Sequence, residues 1–295
     1  MRSPKRSDRL GWVALLAGLA ASGCVDEKII EVPREIFDPP AAEAAGMLGY
    51  TDQDSKLVVC GNCHVGPQKQ WEETAHADAW EGLQSSGHAA EYCEGCHTVN
   101  ELGNTLTETA GYLGIAEDRY HDVQCESCHG PGLDHVQSPA DANIPLAAMD
   151  VGLDNTQGCG ECHQGTHHPF TEQWELSAHG TLNAYPAGNP SCQRCHEGGG
   201  VLASWGENTT YLDEDELFPI TCAVCHDPHG SDNPAQLRFP IGGVTIEDNL
   251  CSQCHNRRTV PDPGSSHGLH PHSPETALLN GEAGFFFPGM PIDQG

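Results

Sequence analysis

Positive charge is what this chain has least of. Lys and Arg total 13 against 42 Asp and Glu, for a formal net charge of −29. Such a surface repels nucleic acid and anionic lipid, which excludes both as partners of the folded body. It attracts a basic partner instead, in an association that weakens as salt screens it. Apolar bulk is scarce too. Leu, Ile, Val and Phe together number 53 of 295 residues, which at this charge falls on the disordered side of ordinary composition. The polypeptide alone cannot bury enough apolar surface to offset the entropy of ordering it. No run of alternating apolar residues is long enough for a substantial sheet. No apolar stretch of the body is long enough to cross a bilayer.

What the chain has in excess is cysteine and histidine, 15 and 18 residues. Fourteen cysteines form seven copies of Cys-x-x-Cys-His: Cys60, Cys63 and His64; Cys93, Cys96 and His97; Cys125, Cys128 and His129; Cys159, Cys162 and His163; Cys192, Cys195 and His196; Cys222, Cys225 and His226; Cys251, Cys254 and His255. Chance would supply roughly 0.04 such pentads. The pattern is that of covalent haem c attachment. Two intervening residues let both thiols reach one porphyrin edge, while the adjacent His ligates the iron from one face. Zinc knuckles and a disulfide framework are the rival readings, but neither gives a reason for a His directly after every second Cys. Seven covalently attached haems c are the expected cofactors. Each is a large apolar plate, so the haems should form the core and the polypeptide a thin shell. The expected fold is mainly α with much irregular coil, a haem-dominated core and little or no β-sheet.

The fifteenth cysteine, Cys24, follows a basic segment (Arg2, Lys5, Arg6, Arg9), the apolar stretch Leu10–Ala21 and Ser22-Gly23. Residues 1–23 read as an export signal, too short for a permanent membrane helix. The signal resembles that of a bacterial lipoprotein, with Cys24 as the lipidated first residue, although Ala21 stands where Leu is commoner. The alternative is an ordinary signal peptide with an incidental Cys. Several acyl chains on Cys24 would anchor the protein stably. The expected location is therefore outside the cytoplasm, on the periplasmic side or the surface of a bacterial membrane. Without residues 1–23 the charge becomes −32, with 9 basic residues against 41 acidic.

Residues 24–55 read as a tether with one short helix near Ala41–Met47. Attachment motifs then recur every 29 to 34 residues. A longer period lies above this one. Cys60, Cys93 and Cys125 match Cys159, Cys192 and Cys222 at offsets of 99, 99 and 97. Between the first and second motifs of each triplet stands one phrase, Trp71-Glu72-Glu73-Thr74-Ala75-His76 and Trp174-Glu175-Leu176-Ser177-Ala178-His179. The chain thus reads as a duplicated three-haem module, 56–150 and 151–245, followed by a seventh-haem segment and tail, 246–295. Helical character is expected over Gln68–Leu83 and Phe170–Leu182, with Trp and His on neighbouring faces, and in a short helix at each motif.

Function turns on the second ligand of each iron. Eleven histidines lie outside the motifs, and seven would complete a bis-His set. Methionine is limited to Met47, Met149 and Met290 in the body. Met ligation raises potential, so bis-His coordination implies low-potential haems. The candidates are His76 and His179 in the repeated phrase, and His135 and His229 after the third motif of each triplet. His88 and His121 lie shortly before a motif. One of His167 and His168 is expected to ligate, taken as His168. One of His267, His270 and His272 is expected to serve a late haem, taken as His272.

The run Val123-Gln124-Cys125-Glu126-Ser127-Cys128-His129-Gly130-Pro131-Gly132 with His135 resembles the multihaem cytochrome family. That family includes the tetrahaem electron carrier of ammonia-oxidising bacteria and its octahaem and decahaem relatives. The Trp-x-x-x-Ala-His phrases and Cys222-Ala223-Val224-Cys225-His226-Asp227-Pro228-His229-Gly230 fit the same group, and the likeness covers about 58–280. It implies that His76, His135, His179 and His229 are distal ligands and that the haems pack in stacked and perpendicular pairs. Enzymatic relatives often carry Lys in place of a motif His. Here all seven motifs end in His, which removes the signature of the ammonia-forming nitrite reductase type.

The leading expectation is electron transfer between other redox proteins or cytochromes, with no catalytic residues. The alternative is an oxidoreductase acting on a small nitrogen or sulfur compound at one open haem, near His167-His168, the C-terminal histidines or Arg257-Arg258. A third is a subunit of a membrane electron-transfer complex or filament, docked through Phe285-Phe286-Phe287. The compositional argument predicts that the chain with its fourteen motif cysteines changed to serine is disordered by circular dichroism. A native-like spectrum would overturn it.

Overall fold

The computed structural model describes residues 45–151, 157–212, 216–242, 249–255 and 275. All of them belong to the unit Asp38–Gly295. Cys24, His267, His270, His272, Arg257, Arg258 and Phe285–Phe287 lie outside the described residues. So does most of the helix expected near Ala41–Met47, whose described part, Ala45–Met47, is turn and coil rather than helix.

Secondary structure comes in short pieces, as 34 Gly and 21 Pro require. The longest helices among the described residues are Val65–Trp71, Ala79–Ser85 and Gly198–Ser204, of seven residues each. The sheet has two antiparallel strands, Tyr50–Asp52 and Leu57–Val58. The protein is therefore mostly helix and coil, as its composition implies.

A helical turn stands at every motif: Cys60–Asn62, Gly95–His97, Cys125–His129, Cys159–Glu161, Gln193–His196, Cys222–Cys225 and Cys251–Gln253. Local bonding explains it. The His amide donates to the carbonyl of the first Cys at 2.9 Å in His64, His163, His226 and His255, and at 3.2 Å in His196. One turn thereby carries both thiols and the imidazole.

The two longer helical stretches differ from expectation. Gln68–Leu83 is broken after Trp71, resumes as a tight turn over Ala75–Asp78, and continues as Ala79–Ser85. Phe170–Leu182 is helical only over Phe170–Glu175. The cause is the hydroxyl in each repeated phrase. Thr74 donates its hydroxyl to the Trp71 carbonyl at 2.8 Å, and Ser177 donates to that of Trp174 at 2.6 Å. Such bonds compete with the helical ladder and end it.

Apolar packing is divided into small clusters: Met47, Val99, Ala110 and Tyr120; Tyr50, Val58, Trp71 and Ala77; Met149, Leu202 and Phe218. Large apolar residues remain outside them, notably Tyr92 beside Cys93, Leu176, Tyr185 and Phe170. A buried carboxylate joins the first cluster to the third motif. Glu126 accepts from the Leu48 and Gly49 amides at 2.8 Å each and from Gly132 at 2.8 Å. Burial pushes its pKa up, and these amides pull it back down. Tyr120 adds a hydroxyl bond to the Met47 carbonyl at 3.0 Å. Glu126→Gln turns one acceptor oxygen into a donor facing these amides. It should destabilise the fold by about 1–3 kcal/mol in denaturant unfolding; an unchanged midpoint would refute the clamp.

Candidate haem-binding centres

Among the described residues, four motif histidines are aimed by a bond at Nδ1. His97 meets the Ala79 carbonyl at 2.7 Å, His129 that of Pro145 at 2.8 Å, and His226 that of Ala235 at 2.6 Å. His255 meets the Glu275 carboxylate at 3.2 Å. Carbonyls and carboxylates only accept, so Nδ1 carries the proton and Nε2 keeps its lone pair for a metal.

Among the described residues, four of the motif histidines face a second imidazole. Ring centroids are 6.2 Å apart in His64–His135, His76–His163 and His129–His229, and 6.0 Å apart in His179–His255. A metal at about 2 Å from a nitrogen of each ring, with the ring radii added, gives this same spacing. Burial lowers the pKa of His76, His129 and His179, and takes His163 to about 4. Each ring is thus held neutral, the state that ligates. His135 also has its Nδ1 buried without a hydrogen-bond partner.

The rival chemistries fit less well. All fourteen motif cysteines are free thiols. No three His, Cys, Asp or Glu side chains among the described residues converge to hold a bare metal ion. A haem would bring four nitrogens of its own and would ask of the protein no more than a pair of imidazoles such as these.

The thiols of different motifs also adjoin. Cys60 lies beside Cys125, Cys96 beside Cys162, Cys159 beside Cys222, and Cys195 beside Cys254. Cys128 is near enough to Cys159 and Cys162 to raise their pKa, and Cys251 does the same to Cys225. Every motif is reached by stepping from one such neighbour to the next.

The remaining candidates are placed differently. His168 lies edge-on to His163 at 5.7 Å, beside His167 and Phe170. His88 is exposed, with its amide on the Ser86 hydroxyl. His121 is buried and stacked on Trp80 at 3.9 Å, with Nδ1 by Gln53 at 3.3 Å and Nε2 by Asp118 at 3.7 Å. Neither His88 nor His121 faces a motif histidine. Closeness in sequence to the next motif does not carry them there, because Trp80 and the polar neighbours take up the His121 ring. The residues that aim the motif histidines were not foreseen. Three are backbone carbonyls, which leave no mark in a sequence.

A chain with repeated Cys-x-x-Cys-His turns, several of whose histidines face a second imidazole, is by class a multihaem c-type cytochrome. The family model for cytochrome c554 and c-prime matches residues 59–130, and that for the doubled CXXCH motif matches 219–259. Among curated proteins the chain is 26% identical over 202 residues to the C-type polyheme cytochrome OmcB of Geobacter sulfurreducens, covering 59% of this chain and 26% of OmcB. It is 24% identical over 207 residues to the multiheme cytochrome MtrA of Shewanella baltica, covering 65% and 58%. It is 33% identical over 90 residues to cytochrome c-554 of Nitrosomonas europaea, covering 25% and 36%. The chain thus spans about a quarter of the length of the first of these relatives. No solved structure gives a significant match.

Because His121 is buried, its pKa is lowered, while Asp118, Asp122 and Glu94 oppose the shift. A depressed folded pKa contributes stability above the unfolded value, and that stability is lost as pH falls. The melting temperature of the holoprotein should therefore drop between about pH 7 and 5. His121→Phe, which keeps the stack on Trp80, should flatten that slope, and an unaltered slope would refute the assignment.

Proposed function

We propose that this chain is an exported, lipid-anchored heptahaem cytochrome c that conducts electrons between redox partners. The unbroken succession of adjoining motif thiols supports this reading most directly, because thiols that adjoin place the porphyrin edges they hold side by side. When bound, haem c supplies reversible one-electron exchange at iron. The protein's part is to fix ligands and surroundings. His135 completes the site of His64, His229 that of His129, His76 that of His163, and His179 that of His255, in keeping with their ring separations of 6.0 to 6.2 Å. For His97, His196 and His226 the remaining candidates are His168 and His272. Two imidazoles per iron within an acidic shell favour low potentials. Cys24 holds the lipid, and the body's charge directs it to a basic partner. No helix among the described residues is long and apolar enough to cross a membrane.

One observation favours a second reading, an oxidoreductase of a small nitrogen or sulfur compound. His97 and His226 face no second imidazole among the described residues, and an iron with one free face is what such chemistry needs. Low-temperature electron paramagnetic resonance of the oxidised holoprotein, integrated against haem content, separates the two. The conductor should show every haem low-spin. A high-spin fraction that shifts on adding nitrite or hydroxylamine would give the catalyst precedence.

A further inference from the structure

We propose that Trp71 and Trp174 are positioning residues, each holding the histidine with which one module completes the first haem site of the next. This rests on the histidine pairing proposed above. The evidence is a bonding pattern that occurs twice. The Trp71 indole donates to the Val123 carbonyl at 2.8 Å, and the Trp174 indole donates to the Ile220 carbonyl at 2.7 Å. Val123 and Ile220 occupy the same place, two residues before the third motif of their triplet. The amide of Val123 then donates to the His76 carbonyl at 3.1 Å, and that of Ile220 to the His179 carbonyl at 3.2 Å. A single residue thus receives the indole through its carbonyl and grips the histidine through its amide. With the Thr74 and Ser177 hydroxyls closing the turn between Trp and His, both ends of the phrase are fixed. Trp71 itself is buried against Tyr50.

The destination of the two imidazoles is also the same. His76 faces His163, of the motif that opens the second triplet, and His179 faces His255, of the motif that follows it. Each phrase therefore hands its ligand forward by one module. The seventh motif is where the second module's histidine arrives. At the first motif of the sequence His64 faces His135 from its own triplet instead. His229, in the corresponding place of the second triplet, finds His163 already matched and faces His129 in the first. Gly230 permits that reach. Its φ is +124°, and a Cβ there would stand 2.6 Å from the Gln70 carbonyl oxygen, so no side chain fits between the modules.

A metal–imidazole bond tolerates displacements of only about 0.5 Å. Removing the indole donor leaves a carbonyl unpaired and frees the turn that carries the histidine. The test uses the holoprotein, with spin state as readout. His76→Ala should convert about one haem to high spin, and added imidazole should restore it. Trp71→Phe, which keeps the ring and loses the donor, should raise the same signal, with imidazole again restoring low spin and with covalent haem content unchanged. Its effect should not add to that of His76→Ala and should add to that of His179→Ala. Trp174→Phe should repeat the pattern with His179. Should the tryptophan variants fail to mature, Thr74→Val and Ser177→Ala release the same turns and keep the indoles. If His76→Ala and His179→Ala each open a haem while the turn-releasing variants stay wholly low-spin, the positioning role is overturned and the pairing stands. If the histidine variants open no haem, the pairing fails and the proposal falls with it.

Discussion

Two imidazoles held about 6 Å apart are the constraint on which the rest of this structure turns. Each pair joins a turn that carries a motif to a histidine far away in the chain. His64 meets His135, and His129 meets His229. Apolar packing offers these separations little support, because its clusters among the described residues hold three or four buried residues each. The separations are maintained by hydrogen bonds between backbone segments. The motif turn closes on itself, His129 is aimed at the Pro145 carbonyl, and His76 and His179 are gripped through their own carbonyls by the Val123 and Ile220 amides. In a chain with so little apolar bulk, directional bonds take over the task that a hydrophobic core performs elsewhere.

The acidic composition is compatible with this economy of packing because most carboxylates stay in water. Glu126, buried like Asp122 and Glu197, is an instructive exception. It is buried, and amides of Leu48, Gly49 and Gly132 converge on it. A buried carboxylate persists only where donors surround it. Here the Leu48 and Gly49 donors come from the segment that precedes the first motif, so one side chain inside the third motif fastens that segment to the body. The second module has Ala223 at the corresponding position.

Duplication in this chain is legible at two levels, and they do not coincide. Motif spacing repeats with near-constant offsets, as do the Trp-to-carbonyl bonds. The facing of the histidines does not repeat in place. His135 and His229 hold nearly matching positions, ten and seven residues after the first Cys of their motifs, yet face the first and third motifs of the same triplet.

Much was written in the residues themselves. The seven pentads specify where thiols and histidines share one turn, because that geometry is local and closes within five residues. The scarcity of alternating apolar runs sufficed to exclude a large sheet, and the repeated phrase pointed to His76 and His179 before any coordinates. Partners remote in the chain were beyond such reading. Local helix propensity gave no warning that Thr74 and Ser177 would end their helices, since a hydroxyl bonded back to a carbonyl competes with the ladder only once the turn is built. Nor did proximity to a motif reveal that Trp80 would cover His121. Which histidine faces which, and which thiols adjoin, depends on how separate segments meet in space. That is settled by long-range contacts, and no period in a sequence records them.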